Sequence, residues 1–164
     1  MQNIRLKVLF SILIVFLVVL CDIYTKQMIL NIGQSFILNS FIKIHMIENY
    51  GIAFSLFDNL SEKGYLVLNA LIILIILFIF YELYKNIKLS NIYITGLSLI
   101  LGGGISNLFD RYDNGSVTDF IILYYEDLYF PAIFNIADLS ISIGALLVVI
   151  YLFFYSHEYN QIQK

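Results

Sequence analysis

The chain has 164 residues, of which 60% are hydrophobic and 13% charged, with a net charge of −3 and a mean hydropathy of +0.86. A soluble domain carries about 25% charged residues and must present a wet exterior, so this composition excludes a soluble globule and makes lipid the solvent for most of the surface. The acidic balance without a basic run excludes nucleic acid as a partner, the one cysteine, Cys21, excludes an internal disulfide, and the distant His45 and His157, with no HExxH, make a His-based metal site unexpected.

A membrane-spanning helix needs about 20 mainly apolar residues. The first candidate, Val8 to Cys21, reaches that length only if helix continues on both sides. Its end, LVVLC, imitates the cleavage region of a signal peptide, but Leu20 stands where a small residue is needed and further spans follow, so it reads as a retained helix. Asp22 and Lys26 come next, spaced to pair on one helix face. Within Phe41 to Asn49, FIKIHMIEN, apolar and polar residues alternate, which predicts a half-buried strand. Asn49 with Gly51 two residues on reads as a turn, and Phe54 follows. Tyr65 to Tyr84 is the second span and Asn91 to Phe109 the third. The third carries Gly102, Gly103 and Gly104, which permit close helix approach in a membrane. Asn107, Asp110 and Arg111 then fall on one helical face, where Arg111 has Asp110 beside it or serves as an anchor reaching for the interface. Ile136 to His157 is the fourth span, with Asn135 placed to cap it and Asp138 in its first turn, where an acid favours the helix dipole.

The expected architecture is an all-α membrane protein, a single domain over residues 1–164. It has four transmembrane helices (8–21, 65–84, 91–109, 136–157), outer loops 22–64 and 110–135, a small extracytoplasmic β-sheet element and a short outer loop or helix. Arg5, Lys7, Lys85, Lys88 and Lys164 are five of the nine Lys and Arg residues, and they sit in the termini and the short middle link. By the positive-inside rule those segments face the cytoplasm.

Asp119 and Asp138 stand among apolar residues, where an unpaired carboxylate costs several kcal/mol or shifts its pKa. A dipole cap explains one acid but not Asp119, and ionisable residues at membrane depth are functional candidates. If both face one pocket they share a proton: the ionised one takes a proton from water and the neutral one donates to a carbonyl oxygen. The helix N-terminus favours the charged form of Asp138 and the apolar run after Asp119 its neutral form, which makes Asp138 the base and Asp119 the acid.

Taken in order, Asp22 with Lys26, NYGIAF, GGGISNLFDR, GSVTDF and FNIADLSI resemble the motifs of lipoprotein signal peptidase, also called signal peptidase II. The resemblance runs through nearly the whole chain. It implies a four-helix aspartic endopeptidase of the bacterial cytoplasmic membrane, with cytoplasmic termini and a site toward the outer face. Asp119 and Asp138 would be its catalytic pair. Asn49, Gly51, Asn107, Arg111 and Asn135 would line the site or groove, with Asp22, Lys26, Phe54 and Asp110 as structural neighbours. A sheet at 36–47 would rest on the membrane surface. The implied partner is a prolipoprotein carrying a diacylglyceryl group on the cysteine before which it is cut, met by a monomer within membrane lipid. Gly104 and Ser106 stand where the family usually has Ala and Gly, and Tyr50 where a small residue or Thr is common.

Three other readings are weaker. A small transporter or proton relay could use the same carboxylates, but the polar residues gather at one membrane face. A non-catalytic subunit accounts for the glycines but not for the aspartates. A Ser–Lys peptidase would need Ser55 and Lys63, whose spacing aligns nothing.

Overall fold

The computed structural model describes residues 2–51 and 60–162, so Phe54 lies outside the described residues. α1 (Gln2–Ile32) is far longer than its apolar stretch and extends in both directions. It therefore carries Asp22 and Lys26 on the helix itself, not in an outer loop beginning at residue 22. α2 (Glu62–Lys85) starts at Ser61, whose hydroxyl accepts the Gly64 amide at 3.3 Å, and places Glu62 and Lys85 to oppose the dipole at each end. α3 (Asn91–Asn114) runs five residues past the predicted third span. It ends at Gly115, whose φ of 76° a side-chained residue rarely adopts. α4 (Ile136–Ile162) departs from helical geometry at Tyr155. All four helices are long and apolar enough to cross a membrane. Among the described residues there is no separate outer helix.

α3 is the central helix. Its hydropathy is 1.5 against 2.3–2.7 for the others, and it is 56% buried where they are 11–22%. Its surroundings are protein, so it tolerates polar residues that lipid would not. Its three successive glycines face three different helices. A side chain at Gly102 would strike Val18 of α1, one at Gly103 the Ala137 carbonyl of α4, and one at Gly104 would press on Ile76 of α2. A second close crossing pairs Gly96 with Gly144. α2 and α4 both pack on α3 but scarcely touch each other.

The sheet is larger than the alternation at 41–49 predicts, and all-α understates the fold. Four antiparallel strands lie in the order β1 (Phe36–Ile37), β2 (Ile42–Asn49), β3 (Val117–Tyr125), β4 (Leu128–Phe134). β3 and β4 come from the segment expected as an outer loop. VTDFIILYY is almost continuously apolar because β3 is paired on both edges and largely buried, so it lacks the alternation of a half-wet strand. The register pairs Asn49 with Val117, Ile47 with Asp119 and Ile121 with Phe134, which aligns Asn49, Asp119 and Phe134 on one sheet face. Ile29 of α1, Ile44 and Phe120 form a small core that fixes the sheet to the end of the bundle. A larger core around Leu89, Ile94, Leu97 and Tyr151 closes the other end.

Candidate active site

Asp119 sits on β3, 3% exposed, and Asp138 in the first turn of α4. Asn135 joins them. Its side-chain oxygen accepts the Asp138 amide at 2.8 Å while the Asp138 carboxylate accepts the Asn135 amide at 3.2 Å, a reciprocal helix cap. The Asn135 side-chain amide donates to Asp119 at 2.7 Å and to Asn107 Oδ1 at 3.1 Å. Asn49 donates to the second Asp119 oxygen at 2.8 Å, and Asn107 to the second Asp138 oxygen at 2.8 Å. Each of the four carboxylate oxygens thus receives an N–H from an asparagine. The predicted turn is present, with the Gly51 amide donating to Asn49 Oδ1 at 3.0 Å.

Beneath this pair lies a buried charge cluster. Lys26, 3% exposed, contacts Asp22 at 2.6 Å, Asp110 at 2.9 Å and Asn107 Oδ1 at 2.9 Å, which occupies all three of its protons. Asp22 also accepts from the Ala137 amide at 2.8 Å, so α1 holds the start of α4. Asp110 accepts the Thr118 amide at 3.0 Å and ties α3 to β3. Asp110 is therefore the partner of Lys26 rather than of Arg111. Arg111 does not reach outward as an interface anchor. It turns in, donating to the Gly51 carbonyl at 2.6 Å and the Asn107 carbonyl at 3.3 Å.

Ser106, noted in the sequence only as a departure from the family pattern, donates to Asp22 at 2.7 Å. Its one sequence signal is its place on α3 next to Asn107, and nothing there names the partner across the bundle.

Asp22, Asp110, Asp119 and Asp138 face two cations, Lys26 and Arg111. Two negative charges are left over: Asp22 and Asp110 both contact Lys26, whereas among the described residues Asp119 and Asp138 form no direct ion pair and feel Arg111 and Lys26 only at longer range. Burial, then the charge of Asp138, pushes the Asp119 carboxyl up from 3.8 to about 7, against the pull of Asn49, Lys26 and Asn135. Both acids line a cavity of about 460 Å³ together with Asn49, Asn107 and Arg111. Its remaining walls are mostly apolar, among them Ile72, Phe130, Phe134, Leu139 and Ile141. Two carboxylates sharing a proton over an apolar cavity can activate water against a carbonyl. Among the described residues, no cluster of His, Cys, Asp and Glu could hold a metal ion.

The sequence pattern of Signal peptidase (SPase) II matches residues 14–154, a range that includes every residue of this site. The chain belongs to the signal peptidase II family. It is therefore a peptidase and a multi-pass membrane protein. It is 44% identical over 142 residues to the lipoprotein signal peptidase of Wigglesworthia glossinidia brevipalpis, covering 84% of this chain and 90% of that one. It is 40% identical over 150 residues to that of Bartonella bacilliformis, covering 88% of each. A bacterial membrane enzyme solved by the in meso method at 2.3 Å superposes with a TM-score of 0.71 at 32% identity, over 88% of this chain and 87% of that one. A second, at 1.9 Å, gives 0.69 at 31% identity, over 89% and 94%. The family's membrane enzyme fold thus extends over nearly the whole chain.

Proposed function

We propose that the protein is an aspartic endopeptidase that removes the signal peptide from diacylglyceryl-modified prolipoproteins, cutting before the lipidated cysteine, with Asp119 and Asp138 as its catalytic pair. The observation that carries this is the shared cavity in which one residue, Asn135, bonds to both carboxylates. Asp138 takes a proton from water, and the water oxygen attacks the carbonyl carbon before the cysteine. Asp119 gives its proton to the carbonyl oxygen. In the second step Asp138 returns its proton to the cysteine nitrogen, the C–N bond breaks, and Asp119 recovers the proton from the collapsing hydroxyl. No cofactor enters this sequence. An Asp119 carboxyl near 7 and the two N–H donors on Asp138 suit these roles.

Asn49, Gly51, Asn107, Arg111 and Asn135 position the pair and the substrate backbone. The protein acts as a monomer in the bacterial cytoplasmic membrane, with its termini in the cytoplasm, its site at the outer face and the sheet on the membrane surface. The test is cleavage of a lipid-modified prolipoprotein by purified Asp119→Asn and Asp138→Asn. Each is expected to lose at least about a hundred-fold in rate while remaining folded. Retained turnover in either variant refutes the mechanism, and equal cleavage of unlipidated substrate refutes the lipid dependence.

A further inference from the structure

The gap between α2 and α4 has no role in the bond-breaking steps. The cavity holding Asp119 and Asp138 runs into it, where Ile72 of α2, Gly104 of α3, and Leu139, Ile141 and Ser142 of α4 line the walls. Of these five residues only Ser142 carries a side-chain hydrogen-bonding group. It stands four residues after Asp138, one turn along the same helix face.

A serine hydroxyl inside a helix commonly bonds to the carbonyl four residues back. Ser11, Ser98 and Ser140 do so, at 3.0, 2.7 and 2.9 Å, and Ser106 donates to Asp22. Ser142 makes no hydrogen bond to any described residue and is exposed to the cavity. Thr95, the helical threonine without such a bond, lies near the start of α3 and outside the cavity lining. A lone donor in an apolar cleft gains most from an acceptor that arrives without water.

The geometry points to Ser142 as the donor to an ester carbonyl of the substrate's own diacylglyceryl group, with Ile72, Leu139 and Ile141 against the acyl chain that leaves it. This rests on the proposed function. A signal peptide crossing the bilayer as a helix bonds its own carbonyls. Apart from the peptide carbonyls at the cleavage point, which face the two aspartates, the glyceryl esters are the acceptors near the modified cysteine that have no internal donor. The cleft opens between α2 and α4, so the acyl chains can stay in lipid while the ester meets the hydroxyl.

The test compares one prolipoprotein carrying either a diester or a dialkyl ether glyceryl group, the ether lacking only the two carbonyls. For the wild-type enzyme the ether substrate is expected to raise KM about three- to ten-fold, the effect of one net hydrogen bond, with kcat held. In Ser142→Ala that KM ratio falls to about one, and in Ser142→Thr, which keeps a hydroxyl, it stays near the wild-type value. A wild-type ratio of one, or a ratio unchanged in Ser142→Ala, overturns the assignment. So does a Ser142→Ala effect that follows ester against ether linkage in the host phospholipid instead of the substrate. Failure of the wild-type enzyme to cut either substrate strikes the proposed function itself.

Discussion

Asp119 and Asp138 are chemically alike, and their surroundings divide them. Asp119 lies on a buried strand, and its carboxyl near 7 holds a proton through most of the acidic range. As pH rises through about 7 that proton is lost, the second charge must coexist with the first, and no acid remains for the carbonyl oxygen. kcat/KM is therefore expected to fall about ten-fold per pH unit above pH 7. A profile flat to pH 9 removes Asp119 from the acid role. Stability follows the same sign. The folded protein binds the Asp119 proton more tightly than the unfolded chain, so stability declines as pH rises from about 4 to 7. The Tm of Asp119→Asn relative to wild type should climb over that window, by about 5 °C or more at 2–4 °C per kcal/mol. A constant difference from pH 4 to 8 contradicts the raised carboxyl. The acids themselves were legible in the sequence, because lone carboxylates in apolar runs are conspicuous. The asparagine on each oxygen was not assignable to its acid, since Asn49 and Asp119 are 70 residues apart and only the β2–β3 register joins them.

At the scale of elements, the start of α4 is the part that must not move. It is held by the Asn135 cap, by Asp22 on the Ala137 amide, and by close approach to α3 at Gly103. Neighbouring glycines should then respond differently to one added methyl. Gly103→Ala pushes on the Ala137 backbone next to Asp138 and is expected to lower kcat about a hundred-fold, the effect of an ångström-scale misplacement. Gly104→Ala meets only the Ile76 side chain at 3.2 Å, which can yield, and should stay within a few-fold of wild type. Equal losses in the two variants contradict this division. The glycine run was readable as a close-packing signal. Which glycine serves which helix follows from the rotation of α3 among its neighbours, and no local pattern encodes that. α1 outran its apolar stretch because Asp22 and Lys26 are satisfied inside the bundle, so the helix need not end where hydropathy does. β3 escaped notice for the converse reason, since a strand buried on both faces loses its alternation.

Across the whole molecule the polar groups divide between two ends. The cluster around Asp119, Asp138 and Lys26 gathers where α1 and α3 end and α4 begins. At the opposite end Lys7 donates to the Leu89 carbonyl at 2.6 Å, joining the start of α1 to the link between α2 and α3. The cationic end faces the cytoplasm in the proposed topology. Cysteine labelling checks this in a Cys21→Ala background. Asp127→Cys, in the β3–β4 turn, should react with an impermeant thiol reagent in intact cells. Lys88→Cys should react only after the membrane is opened. The reverse pattern inverts the topology.

Hydropathy determined the four spans, and the five short motifs singled out the two acids, because lipid acts on each segment independently of the others. Only the tertiary structure decided the four-stranded sheet, the Lys26 cluster, the inward turn of Arg111 and the cavity that reaches between α2 and α4. Those depend on contacts between residues distant in the chain, and on polar groups whose burial becomes acceptable only once their partners have arrived.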